Sequence, residues 1–352
     1  MPEFSKINAL CTQLPDDSRH FPKKIFTSLH KMGLLQISLP YTFQENEKQL
    51  SVFTYLFEIG KASLSVGRIY EGHINAIKLI EDYGSLTQQN FYFQKVKKGK
   101  LFGVWNTEKH AEVVTARKHK DSFYLEGAKT FCSGGLHIDY AIVTAEINTA
   151  KQLFIVPLKD FPQLKEDWTL WQPMGMKNSV SCRIDFTGIE ISSENLLGRQ
   201  NVYHEEPWFS GGAMRFAAVQ LGGAEAVLIS ALDHLRLQKR TKDPYQQHRM
   251  GMMAIQIQSG KFWLEKSQKI YDFPEKYSPE EIVNFANMMR CAILEISENI
   301  LSLAEHAIGV QGFMENHPLE RLYRDLKVYL KQPGPDLALQ NVGSFTFESY
   351  KL

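Results

Sequence analysis

The residue types able to do chemistry are few and widely spaced in this 352-residue chain. His73, in Tyr70-Glu-Gly-His73, is an imidazole that could donate a hydrogen bond or shuttle a proton near neutral pH, or could simply be a satisfied buried side chain. Asp336 follows Pro333-Gly334-Pro335 and offers either a proton acceptor or a helix cap. Arg215, in Met214-Arg215-Phe216 at a helix start, suits an anionic ligand or an ion pair. Trp105 and Phe131 lie in strand-like stretches, where an aromatic is either core or a flat surface for a ring to lie on. Thr107 and Ser133 carry hydroxyls that cap turns or bond a ligand. Gly309 and Gly312 read either as a helix C-cap or as backbone that a nucleotide can approach with no Cβ in the way. The four cysteines, Cys11, Cys132, Cys182 and Cys291, lack metal-ligand spacing, and neither a metal site nor a disulfide framework is expected.

Charge and composition narrow the classes. Lys plus Arg number 40 against 39 Asp plus Glu, a net charge of +1 that recruits neither nucleic acid nor an anionic membrane surface. No run approaches the ~18 apolar residues of a membrane span, and Met1 to Leu10 lacks the basic-then-apolar order of a signal segment. A soluble, cytoplasmic protein with a substantial core is expected.

These residues must be held by three blocks of different periodicity. Over 21–100 apolar residues recur at helical spacing, as in Ile25, Leu29, Met32 and Ile74, Ile77, Ile80, with Pro22 at a helix start and Gly33 and Gly84 at helix ends. Over 101–198 short apolar runs alternate with turns, predicting strands at Leu101–Trp105, Ser122–Leu125, Ala141–Ala145, Phe154–Val156 and Arg183–Phe186. Long helices follow over 213–239, 251–271 and 279–308, with a shorter one after Leu319 and breaks at Asp243-Pro244 and Pro274. The fold class is α+β, mainly α: an N-terminal helical domain over 1–100, a small antiparallel β-domain over 101–200, and a C-terminal four-helix bundle over 201–352.

That order, with the motifs inside it, resembles the acyl-CoA dehydrogenase superfamily of flavoproteins, from Phe21 to about Gly343. Leu29-His-Lys-Met-Gly33-Leu34 followed by Leu39-Pro40 is similar to the family's entry segment, and His73 stands before a helix that ends at Gly84. Thr107-Glu108 follows its strand as the family's Thr-Glu does. Gly127-Ala-Lys129-Thr-Phe131-Cys-Ser133-Gly134 is similar to "Gly-x-Lys, aromatic, x, Thr/Ser", and Gly175-Met176-Lys177 with Asp185-Phe186 to "Gly-Met-Arg…Phe". Arg215 with Leu221-Gly222-Gly223, and Gly309, Gly312-Phe313 with Arg324-Asp325, complete the series.

The resemblance implies a flavin, FAD with FMN as the alternative, its polar edge near Thr107, Phe131 and Ser133 behind the ring and Trp105 just upstream. It implies that Gly309 and Gly312 meet the adenine half across a subunit interface, and hence a homodimer or homotetramer. Lys242 and Tyr245, or alternatively Arg249, stand in for the family's Arg-x-x-Phe-Gly grip on the pyrophosphate, and Arg215 is a contact for a CoA-like nucleotide.

The departures matter as much. Dehydrogenation α to a thioester needs a carboxylate base. The family's Glu a few residues after Arg-Asp falls on Pro333, and the alternative beside Arg215 falls on Met214. Asp336 is the nearest acid, and the "Gly-Ser-Asp" of acyl-CoA users is missing after Thr107-Glu108. The expected function is a flavin-dependent oxidoreductase acting on an acyl thioester or related small molecule with a relocated base. The alternatives are a monooxygenase that uses reduced flavin, with His73 as its polar donor, and a catalytically silent partner subunit.

Overall fold

The computed structural model describes residues 2–43 and 51–349. Its first block is helical: α1 (Pro2–Cys11), α2 (Lys23–Lys31), α3 (Val52–Ala62), α4 (Leu64–Tyr83) and α5 (Leu86–Lys97). Serines set the starts. The side chains of Ser51, Ser63 and Ser85 each accept a hydrogen bond from a backbone N–H three residues on, satisfying one of the donors a helix start leaves orphaned. Ser63 both ends α3 and begins α4. The sequence pattern does not predict α1, which is short, but Phe4, Ile7 and Cys11 fall on one face and are buried.

The second block holds β1 (Phe102–Trp105), β2 (Thr115–His119), β3 (Ser122–Glu126), β4 (Ala128–Cys132), β5 (Tyr140–Ile147), β6 (Ala150–Pro157), β7 (Glu166–Asp167), β8 (Cys182–Asp185), β9 (Ile189–Ser192) and β10 (Leu196–Leu197). One sheet runs β10-β6-β5-β2-β3-β9 with β1 beside β5, and a second runs β4-β8-β7. Most pairs are antiparallel, but β1 lies parallel to β5 with Phe102 opposite Tyr140, and β2 meets β5 in parallel at Thr115 and Glu146. The wholly antiparallel expectation is corrected there. The chain between β1 and β5 carries three other strands, long enough for the crossover that a parallel pair requires. β2 escapes sequence reading because only Ala116 of its five residues is buried.

The third block is α6 (Trp208–Gly211), α7 (Ala213–Leu237), α8 (Pro244–Asp272), α9 (Pro279–Ile308), α10 (Pro318–Tyr329) and α11 (Pro335–Ser349). Asp243-Pro244 is a helix start, so α8 begins seven residues before the expected 251. The Asp243 carboxylate accepts from the N–H groups of Tyr245 and Gln246, and Pro244 occupies the first turn, where no N–H is needed. Helix α7 is the hub, packed on α3, α4, α8, α9 and α10. By length and composition the α6–α7 stretch could cross a membrane, yet most of its apolar run is buried in the protein. A Cβ on Gly222 would lie 2.1 Å from the Phe57 carbonyl oxygen, so only glycine lets α7 approach α3 this closely.

Candidate functional site

Strand β4 and the loop after β1 bring three of the expected cofactor residues together. Phe131 has φ of +54°, in the left-handed region, and its ring is 55% exposed, with only its edge against Trp171 at a centroid distance of 6.3 Å. Ser133 is buried, its Oγ 2.9 Å from Ser181 Oγ, which lies 2.8 Å from Ser179 Oγ. Thr107 is exposed, and its carbonyl accepts from the Thr130 N–H at 2.8 Å, which seats the loop beside Phe131.

Lys129 fixes that seat. Its buried Nζ donates to the Asn106 carbonyl at 3.2 Å, to Thr144 Oγ1 at 2.8 Å and to the Glu108 carboxylate, so both neighbours of Thr107 are held. Lys151 binds the other oxygen of Glu108 at 2.5 Å. Burial pushes the Glu108 carboxyl up, but the bonds from Lys129 and Lys151 outweigh it and hold the group below its usual range. Burial likewise holds Lys129 below its ordinary value, against the pull of Glu108.

Trp105 is placed differently from the expectation. It is 2% exposed, its Nε1 donates to the Ser133 carbonyl at 3.2 Å, and its ring packs beside Phe186. It supports Ser133 from beneath and presents no open face to a ring. Ser181, which no sequence motif singles out, completes the hydroxyl chain instead.

Helix α4 closes the next wall. A Cβ on Gly134 would lie 3.7 Å from Ile69 Cγ2, so the Ser133 turn rests on α4 next to Arg68. From there a polar chain crosses to α7. Arg68 donates to Glu71, Asn75 donates to the other oxygen of Glu71, and Arg215 donates through Nε to Asn75 Oδ1. Glu71 is buried, while Arg68 keeps 28% of its side chain accessible. The charges of Glu71 and Arg68 act on Tyr203 and Tyr329 alike. Burial is the larger effect, pushing Tyr203 up to about 12 and Tyr329 well above its ordinary value. Of this set only Arg215 is legible in the sequence. The missed signal is the spacing of the polar residues Arg68, Glu71 and Asn75, i, i+3 and i+7 on one face of α4.

His73 is buried in the packing of α4 on β1. Its Nδ1 accepts from the Phe102 N–H at 3.2 Å and its Nε2 lies 2.9 Å from the Leu35 carbonyl, an arrangement for the neutral ring protonated at Nε2. Burial lowers its pKa to about 4. Both nitrogens are occupied, so His73 joins two elements and has no proton to offer a substrate.

Asp336 is exposed in the first turn of α11. The preceding turn is pinned to α9, where Arg290 donates to the Pro333 carbonyl at 2.6 Å. Met214 is buried. Of the two, only Asp336 carries a carboxylate.

Lys242, Tyr245, Gly309 and Gly312 fall past the C-terminal end of α7 and α9, with Tyr245 76% exposed and Gly309 at φ +73°. Arg215 is near the start of α7, and at 1.5 Å per residue the 25-residue helix separates the two groups by roughly 35 Å. The expected cofactor residues form two sets, not one. Between them lies a groove of about 940 Å³, lined by α1, the α3–α4 junction, α7 and α10, that contains none of Thr107, Phe131, Ser133 or Arg215. His234 and His317 meet in it with ring nitrogens 3.1 Å apart. Among the described residues no cluster of His, Cys, Asp or Glu is placed to hold a metal ion.

Residues 6–100 match the acyl-CoA dehydrogenase N-terminal domain and residues 206–336 the acyl-CoA dehydrogenase C-terminal domain. The chain belongs to the acyl-CoA dehydrogenase superfamily. It is 22% identical to the short-chain-specific acyl-CoA dehydrogenase of Clostridium acetobutylicum over 338 residues, 89% of this chain and 86% of that protein. To the dibenzothiophene monooxygenase of Rhodococcus qingshengii it is 23% identical, over 82% of this chain and 78% of the relative. Against the mitochondrial isobutyryl-CoA dehydrogenase of Dictyostelium discoideum the match is 24% identical and spans 64% of this chain but only 56% of that protein's length. The fold matches TdsC from Paenibacillus sp. A11-2, solved with FMN and indole, with a TM-score of 0.86 and 20% identity, covering 100% of this chain and 97% of that one.

Proposed function

We propose that this chain is a flavin-dependent oxidoreductase acting on a small molecule, an acyl thioester or a related compound, between the β-domain and helices α4 and α7. The observation that carries the reading is the shared place of Thr107, Phe131 and Ser133, with an exposed aromatic ring between two hydroxyl-bearing residues. These groups fit a flavin: Phe131 offers an uncovered face, and Thr107 and Ser133 offer hydrogen bonds to a polar edge. Bound there, a flavin would supply the exchange of a hydride or of electrons with the substrate. The protein's part is to orient the ring through Ser133 and Thr107, which Trp105 and Lys129 hold in place. FAD is the cofactor proposed, with FMN as the alternative. Lys242, Tyr245, Gly309 and Gly312 follow the ends of α7 and α9, roughly 35 Å from Arg215 by the length of α7, which supports their service to a neighbouring copy in a cytoplasmic homodimer or homotetramer.

A second reading, a monooxygenase using reduced flavin, is favoured by Pro333 and Met214 at the two positions where a dehydrogenase base is needed. The visible spectrum of the purified protein tests both. Stoichiometric bound flavin, bleached anaerobically by an acyl thioester, supports dehydrogenation. A colourless protein that consumes oxygen with supplied reduced flavin and a substrate supports the oxygenase. Failure to bind flavin in either redox state would show a silent relative and sink both.

A further inference from the structure

The groove between α1, the α3–α4 junction, α7 and α10 holds a buried hydroxyl that the fold leaves unused. Ser230, on α7, lines it and is 8% exposed, and its Oγ has no hydrogen-bond partner. A serine inside a helix can return its hydroxyl to the carbonyl four residues back, as Ser259 does to Ile255 at 2.9 Å and Ser267 to Trp263 at 2.8 Å on α8. Ser230 makes no such bond, so its proton is free for a ligand in the groove.

One turn on, the same face of α7 carries His234. His317 caps the start of α10, where its Nδ1 accepts from the Leu319 N–H at 3.1 Å. Burial favours the neutral ring at both histidines. His317 therefore carries its proton on Nε2 and donates it to His234 Nδ1, 3.1 Å away. That leaves His234 protonated on Nε2, which makes no hydrogen bond among the described residues. The charges of the groove cancel. Lys61 is paired with Glu58 at 2.7 Å and with Glu225 at 3.2 Å, and Lys261 with Glu225 at 2.6 Å. Asp233 is paired with Arg236 at 2.8 Å and Arg321 with Asp325 at 3.8 Å. Four cations thus stand against four carboxylates. Apolar walls come from Phe4, Leu64, Ile229, Leu237 and Leu322.

We propose that this groove is a second ligand site, for an uncharged carbonyl compound with an apolar body whose oxygen accepts from Ser230 and His234. It lies roughly 22 Å along α7 from Arg215 and contains none of Thr107, Phe131 or Ser133, so it stands apart from the flavin reading and does not depend on it. A carbonyl oxygen has two lone pairs, one for each donor. Side chains four apart on a helix leave Cβ atoms about 5–6 Å apart, near enough for one oxygen to meet both. A purely apolar ligand would leave the Ser230 proton unpaired, and an ion would find no uncompensated opposite charge.

The test uses the purified full chain with acetophenone, benzoate and isopropylbenzene as probes, and dissociation constants are read by ligand-observed saturation-transfer NMR. Acetophenone is expected to bind about tenfold or more tightly than benzoate. Ser230→Ala and His234→Phe are each expected to weaken acetophenone about three- to tenfold, and neither to weaken isopropylbenzene, which has no acceptor. Ser230→Ala removes only an unpartnered hydroxyl, so it carries the test even if His234→Phe, which breaks the bond from His317, fails to fold. Acetophenone affinity unchanged in Ser230→Ala, benzoate binding as well as acetophenone, or no acetophenone binding at millimolar concentration each overturns the proposal. In the last case, self-association that Ile229→Glu abolishes would assign the groove to a second copy of the chain.

Discussion

Lys129 on β4 reaches the Glu108 carboxylate across the fold, and the pair fastens the loop that carries Thr107 to the strand that carries Phe131. The lysine side chain is fully buried, whereas Lys151, which shares Glu108, is 21% accessible. The "Gly-x-Lys" of the sequence is thus a positioning device: Lys129 places Thr107 and touches nothing that would react.

Removing one partner of a buried pair leaves a stranded charge, so Lys129→Met should cost about 3 kcal/mol in urea unfolding and lower flavin occupancy. Lys151→Met, at the more accessible end, should cost under about 1 kcal/mol. Equal costs for the two would show that the burial of Lys129 is not what matters.

Thr107→Ala combined with Ser133→Ala should reduce flavin occupancy with the fold intact. Two hydrogen bonds at about 0.5–1.5 kcal/mol each correspond to roughly a 5- to 150-fold weaker dissociation constant. Occupancy equal to that of the parent protein would displace the flavin from β4.

Asp336→Asn should leave flavin binding and turnover unchanged, because the carboxylate sits exposed at the start of α11. Turnover is measured on whichever substrate bleaches or oxidises the bound flavin. Abolished turnover with normal flavin binding would make Asp336 the relocated base.

His73 should make stability depend on pH. Burial holds it neutral in the folded state down to about 4, whereas the unfolded chain protonates near 6.5. Below pH 6.5 the unfolded state therefore binds more protons, and stability falls with pH until about 4, by up to about 1.4 kcal/mol per pH unit. His137, His204, His234 and His317, also lowered by burial, add slopes of the same sign. The difference between the parent and His73→Asn isolates the term. Parallel urea midpoints for the two proteins from pH 7 to 5 would contradict it.

Element types were most legible where period and punctuation agreed. α9 spans the expected 279–308 because Pro279 starts it, Ser278 and Glu281 form a reciprocal cap, and Gly309 follows its end. Residues 244–250 read as a break because Asp243-Pro244 terminates one helix and initiates another, and which it does depends on what the following turn packs against. β2 and β4 went unread for a related reason: their side chains are polar or claimed by a motif, and only pairing with β3 and β8 makes them strands.

The sequence by itself determined the order of the three blocks, the family, and the residue set Thr107, Phe131 and Ser133, because local periodicity and short motifs are written in neighbouring residues. Its resemblance to the family also implied that Pro333 and Met214 stand at the two usual base positions. Only the tertiary structure decided that His73 and Trp105 are supports, that Lys242, Tyr245, Gly309 and Gly312 stand apart from the β4 set, and that Arg68, Glu71, Asn75 and Arg215 form one chain. Which hydrogen-bond acceptors are spent and which donors remain depends on contacts 29 to 140 residues apart in the chain, as between His73 and Phe102 or Asn75 and Arg215, and no local pattern encodes them.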